Sequence, residues 1–397
     1  MTSSKDTALS QLNRLESLLV HDPLNESLLE AAFASALETG EWINAEKHLN
    51  TGKKICKNSL PWALREGDLL LSMKKIDQAE ELFLSLNSQA ELPSEFGHLL
   101  IHNLAHIDYL RKNYPEASRK LREIVIQRNP HQLANVASFE INSTASPSTL
   151  RLLLRTLHHA GDLSEALAIV EKIRPNQKLF LDVASIASAI ALDFNQENYA
   201  REWSNVAIDS SLPENRKIEA FVVKASLLLG DGDISGSKNY ASRALDINPT
   251  EGRAYSVLGF VALSSENLTE AEDFFKKSLQ CNFQHIGTLL GLGWTELLGE
   301  SIASAIDSFS AAVELDRNFG ESHGALAVAL VLAGNRELAR DTARRGLKLD
   351  PLSPSSLFAI AILDGEITNR ASLLRFSKQV VRQASSGANS KTSRDSK

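Results

Sequence analysis

Three histidines, His98, His102 and His106, recur every four residues. On a helix that spacing stacks them along one face, and an i, i+4 pair of imidazoles can share a metal ion. Zinc needs three or four ligands converging from more than one element, and Cys56 and Cys281 lie far away in sequence. Asp68 or His131 could be given a further ligand role only as a guess, since nothing in their spacing selects them. No metal and no other cofactor is therefore expected. Around the histidines the chain also carries Tyr109, Arg151, Arg155, His158 and His159. This is a cationic and aromatic set that suits an acidic segment, and protonation of the imidazoles below neutral pH would strengthen such an attraction. A solvated face with no specific ligand is the competing reading.

Other chemical signals are weak. The run G-D-G-D-I-S-G at residues 230–236 echoes a glycine-rich phosphate loop, but no strand precedes it. T-G-K-K at residues 51–54 lacks the upstream glycine of such a loop. No H-E-x-x-H, nucleophile elbow or kinase signature occurs, and the expectation is a protein without enzymatic activity.

The elements that carry these residues are set by a repeat. Ala271, Ala305 and Ala339 recur at a period of 34, as do Gly259, Gly293 and Ala327. After Tyr255 come Leu258, Gly259, Ala271 and Phe275, which are followed one period later by Leu292, Gly293, Ala305 and Phe309, with Ala312 in the small slot of the second helix. The periods close on D-I-N-P, ending at Pro249, and on K-L-D-P, ending at Pro351. Weaker copies centre on Ala45, Ala79, Ala117, Ala166 and Ala200. This pattern resembles the tetratricopeptide repeat. The resemblance implies an all-α fold: a right-handed superhelical solenoid of about nine helix-turn-helix repeats with a carboxy-terminal capping helix. Two antiparallel helices approach closely only where one of them is small, so Gly259 and Gly293 are expected to receive Phe275 and Phe309. A hairpin of this kind buries its apolar face only against neighbours, and the product is an extended binding surface.

Tracing the repeat divides the chain. Residues 1–25 read as a helical lead-in, 26–131 as three degenerate repeats and 132–146 as an irregular joint. Residues 147–353 read as six repeats, best matched over 218–353. Residues 354–382 continue as capping helices, and the serine-rich residues 383–397 read as a disordered tail.

In proteins of this resemblance, positions 2, 5, 9, 12 and 13 of each repeat line the concave groove. Near the carboxy terminus they include Val222, Leu229, Phe260, Leu263, Leu290, Trp294, Leu297, Val328 and Val331, with Arg253 and Glu321 among them. That lining fits an amphipathic helix or apolar peptide anchored on Phe260 and Trp294, unless the side chains pack on one another or beneath the carboxy-terminal helix. It does not fit the carboxylate clamp of some relatives, which needs lysine, asparagine and arginine at such positions. Nearer the amino terminus the same positions fall on His102, His106, Tyr109, Arg151, Arg155 and His158.

Composition sets outer bounds. The net charge of -7 argues against general nucleic-acid binding, no 18-residue apolar stretch exists, and the first residues lack an apolar signal core. With two widely separated cysteines, a cytoplasmic setting is expected. The short segment before the first repeat is too small for a helix-turn-helix DNA-binding domain. The expected role is a protein-interaction scaffold or adaptor that binds peptide or helical segments of its partners and supports assembly of a larger complex. The alternative is a chaperone for a secreted, pilus or secretion-system subunit.

Overall fold

The computed structural model describes residues 4–56, 60–88, 93–128, 139–281, 283–366 and 375–376. Its described elements begin with a lead helix, α1 (Ser4–His21). Helices then follow in pairs: α2 (Glu26–Thr39) and α3 (Trp42–Ile55), α4 (Leu60–Ser72) and α5 (Ile76–Asn87), α6 (Ser94–Leu110) and α7 (Tyr114–Val125). After a short ribbon come α8 (Pro147–Ala160) and α9 (Leu163–Ile173), α10 (Gln177–Asp193) and α11 (Glu197–Asp209), α12 (Ile218–Gly230) and α13 (Ile234–Ile247). The last pairs are α14 (Gly252–Ser264) and α15 (Leu268–Gln280), α16 (Ile286–Leu298) and α17 (Ile302–Leu315), α18 (Gly320–Leu332) and α19 (Arg336–Leu349), before the single helix α20 (Pro354–Leu363). The fold is the all-α array of tetratricopeptide-like hairpins that the alanine spacing predicts, with nine pairs among the described residues.

A backbone signature marks the bend inside every pair. Gly40, Lys74, Lys112, Gly161, Asn195, Gly232, Glu266, Glu300 and Gly334 all have left-handed φ, and so does Gly365 after α20. One such residue lets the chain reverse and releases the end of the first helix. Successive members keep the period of the alanines except between 74 and 112, 112 and 161, 195 and 232, and 334 and 365. The first three exceptions fall where the alanine spacing also breaks.

The chain divides into two compact units, Met1–Glu165 and Ala166–Lys397. In the first, Trp62 is fully buried against Gly52 of the preceding helix, and Phe83 seats on Gly67. Leu12, Leu29 and Phe33 share the core of Trp62, while Phe83 packs with Leu64, Leu100 and Ile107. The described part of the joint holds a two-stranded antiparallel ribbon, β1 (Ile126–Arg128) with β2 (Phe139–Ile141), in which Ile126 faces Ile141. An all-α reading omits it. Three-residue strands are too short to show alternation, and only the β-branched run from Val125 signals one. Residues 129–138 of this region lie outside the described residues. Ser146 then caps α8 by accepting a hydrogen bond from the Thr149 amide at 3.2 Å, with Pro147 in the first turn.

In the second unit the repeat residues do what their sizes suggest. Ala271, Ala305 and Ala339 are wholly buried, and so are Phe275 and Phe309. Phe275 lies against both Gly259 and Gly291, and Phe309 against Gly293. At the carboxy-terminal end α20 is docked closely on α18, because Gly324 leaves room for the backbone at Ser355 and Ser356. Of the expected capping region, α20, residues 364–366, and Arg375 and Phe376 are described, and the expected tail at 383–397 lies outside the described residues.

Candidate protein-binding face

In the first unit the first helices of successive pairs present a polar face that is laced from one repeat to the next. Arg65 of α4 donates to Glu30 of α2 at 2.5 Å and its guanidinium lies over the Trp62 ring, 4.8 Å from the centroid. Asn103 of α6 donates to Asp68 of α4 at 3.4 Å, and His102 pairs through Nδ1 with the Thr149 hydroxyl of α8 at 3.1 Å. Arg151 and Arg155 on α8 act electrostatically on His102 and His106 respectively. At the far end, Tyr109, Tyr114 and His159 form a ring cluster with centroids 5.3–5.7 Å apart, and His158 joins it at 5.8 Å from His159.

All six residues assigned to the cationic stretch, His102, His106, Tyr109, Arg151, Arg155 and His158, are half-buried on this face. Tyr114 and Thr149 belong with them and were not legible from groove positions. Tyr114 follows the α6–α7 bend, so it meets the end of α6 only once the hairpin closes.

Burial corrects the expected histidine chemistry. Desolvation, with the nearby His106 and Arg151, pushes the His102 imidazole down to about 4, and burial with Arg155 lowers His106. His102 is therefore neutral through the mildly acidic range, and the expected gain of positive charge just below neutral pH does not occur there. Burial acts oppositely on the Asp68 carboxyl, pushing it up to about 6 against the pull of Arg65 and Asn103. Among the described residues no group of three or more His, Cys, Asp or Glu side chains is placed to hold a metal ion.

The apolar stretch is placed differently. Val222, Leu229, Leu263, Leu290, Trp294, Leu297, Val328 and Val331 are all buried, Val328 completely and Trp294 to 2% exposure, while Phe260 is half-buried. They do not line an open trough in this structure. Phe260 stands edge-on to Phe275, and Trp294 edge-on to Phe309. The physical reason is packing within each pair: the ring on the first helix closes on the phenylalanine of its own second helix, Phe260 on Phe275 and Trp294 on Phe309. The polar groove positions are likewise engaged within the unit. Arg253 donates to both oxygens of Asp193 at 2.8 Å. Glu321 accepts from the Ser353 hydroxyl at 2.7 Å and from the Ser355 hydroxyl and amide at the start of α20, and its burial raises its carboxyl above the usual range. Glu296, also raised by desolvation, accepts from Ser308 at 2.7 Å.

No helix among the described residues is long and apolar enough to cross a membrane. No protein-family profile and no curated protein matches the chain. Among solved structures it is similar to YrrB, described as a TPR protein with an unusual peptide-binding site, at 20% identity over 43% of this chain and 90% of that one, with a TM-score of 0.33. At that likeness no feature of the YrrB site transfers to this chain, and the assignment of the fold stands on its own hairpins and bends.

Proposed function

We propose that this protein is an interaction scaffold that receives an acidic segment of a partner protein on the α6–α8 face of its first unit. One observation carries the reading: His102, His106, Tyr109, Arg151, Arg155 and His158 are half-buried together, with two guanidinium charges acting on the His102 and His106 imidazoles, which burial lowers, and an aromatic rim beside them. Guanidinium groups recognise carboxylates in a planar, two-pronged manner, and the rings add contact area at small conformational cost. Arg151 and Arg155 already interact within the chain, so a partner carboxylate would exchange for an internal contact rather than fill an empty place. Selectivity then comes from the arrangement of charges more than from net charge. The chaperone alternative would use the same apolar stretch, and partner fate separates the two: a scaffold stays with a finished complex, whereas a chaperone leaves it.

The test is affinity purification of the tagged full-length chain and of an Arg151→Glu/Arg155→Glu variant, each at about 50 and 300 mM salt. A partner lost from the variant and weakened by salt supports the acidic-segment reading. The same partners recovered equally from both chains would remove that assignment and leave the scaffold role. Recovery of no specific protein would remove the scaffold role as well.

A further inference from the structure

Phe376 and Trp294 lie more than two repeats apart in sequence, yet their rings meet edge-on with centroids 6.2 Å apart. On its other side Phe376 stacks on Phe358, with centroids 3.8 Å apart and planes within 6°. Trp294 belongs to α16 and Phe358 to α20, and α18 lies between those helices in the order of the stack. A single ring that touches both side chains must lie across α18. The side chains there agree: Val328, Ala325 and Ala329 of α18 have no exposed surface, and Phe376 packs against the same core cluster.

Phe376 is not the core aromatic of another repeat. Phe275 and Phe309 each lie nine residues after the bends at Glu266 and Glu300, and the same count from the bend at Gly365 falls on Leu374. The array also loses register at this point. The left-handed Gly365 follows Gly334 sooner than the period requires, and α20 has 10 residues where α14, α16 and α18 each have 13. A shortfall of most of a helical turn rotates the exit of the chain. A second feature concerns fit. Trp294 Nε1 is buried and has no hydrogen-bond acceptor among the described residues, so the Phe376 ring meets its apolar face and leaves its polar atom unmet.

We propose that the carboxy-terminal segment of this chain, anchored by Phe376, is the resident occupant of the apolar groove over α16, α18 and α20, and that a partner gains this groove by displacing it. Occupancy by the chain's own segment is independent of the scaffold reading; displacement by a partner rests on it. The competitor that this groove favours is an apolar segment with an aromatic ring and a carbonyl oxygen placed to accept from Trp294 Nε1. Such a segment gains a hydrogen bond that Phe376 does not supply.

The experiment compares full-length wild type with Phe376→Ala by hydrogen exchange, using a labelled peptide of residues 370–382 as the probe. The variant should exchange at least tenfold faster in α16 and α18 while α12 and α13 are unchanged. It should also bind the peptide, which wild type excludes and which fails once its own Phe376 is replaced by alanine. Equal exchange in both chains, or equal peptide binding by both, would overturn the proposal. Should Phe376→Ala not fold, Phe376→Cys in a Cys56→Ser/Cys281→Ser background, labelled with bimane, replaces it. Quenching relieved by Trp294→Phe supports occupancy, and an unquenched label overturns it. Loss of partner recovery in pull-downs with these exchange and peptide results intact would fault the scaffold reading alone.

Discussion

Phe309 occupies the space that a side chain on Gly293 would need: a Cβ placed there lies 2.5 Å from Cε1 of the ring. Alanine is favoured over glycine in a helix interior by about 1 kcal/mol, whereas forcing one methyl into a close-packed core costs about 1–3 kcal/mol. The packing cost outweighs the propensity gain because the Phe309 ring is fully buried and has nowhere to move. Gly293→Ala is expected to lower the denaturation midpoint of the second unit. Gly97→Ala on α6, where a Cβ meets nothing within 4 Å, is expected to be neutral or stabilising. Equal responses in a denaturant titration would refute the packing account.

The bends make a separate prediction. Lys74, Lys112, Asn195, Glu266 and Glu300 hold left-handed φ where the equivalent bends at Gly40, Gly161, Gly232 and Gly334 use glycine. A side chain in that conformation costs about 1–2 kcal/mol, partly offset because glycine loses more freedom on folding. Glu300→Gly should therefore stabilise by about 0.5 kcal/mol, and Gly334→Ala should destabilise by about 1 kcal/mol. Calorimetric midpoints that move in the opposite order would exclude this explanation.

Asp68 gives a pH dependence of definite sign. Its carboxyl titrates near 6 in the folded chain against an ordinary 3.8, so the folded state holds the proton more tightly. The cost of burying the charge is fully present above about pH 6 and is relieved as pH falls toward 3.8. A two-unit shift corresponds to about 3 kcal/mol, reduced to about 2 kcal/mol by the water that still reaches the group. Asp68→Asn should stabilise at pH 8 and lose that advantage by pH 4. A stability difference independent of pH would show that burial of the charge is not the cause.

His102 works in the other direction. Its imidazole titrates near 4 in the folded chain against an ordinary 6.5, so the unfolded chain binds the proton first. Stability from this group is present above pH 6.5 and is lost as pH falls toward 4, by about 2–3 kcal/mol. Because the Asp68 and His102 windows nearly coincide, wild type should change little from this pair between pH 6 and 4. Single replacement unmasks each: Asp68→Asn becomes acid-labile, and His102→Gln becomes more resistant to acid. Chemical denaturation across that range distinguishes cancellation from the absence of either effect.

Much of this molecule is local, and local features are written in sequence. The regular return of Ala271, Ala305 and Ala339 locates hairpins because each pair packs small against large within about one repeat, and Gly259 with Phe275 and Gly293 with Phe309 follow from size alone. The Ser146–Pro147 start of α8 is equally local, resting on one hydroxyl and one nearby amide. Accessibility and charge state were decided by contacts that no repeat contains. Trp294 occupies a groove position by spacing, yet it is buried with Phe309 and Phe376 both against its ring, and Phe376 comes from beyond α20. His102 is an ordinary imidazole in sequence, but it is held neutral because the fold removes its water and α8 brings Arg151 beside it. Periodicity assigns a side chain to a face of a helix. Only the folded chain determines what covers that face, because desolvation and packing depend on neighbours at any sequence distance.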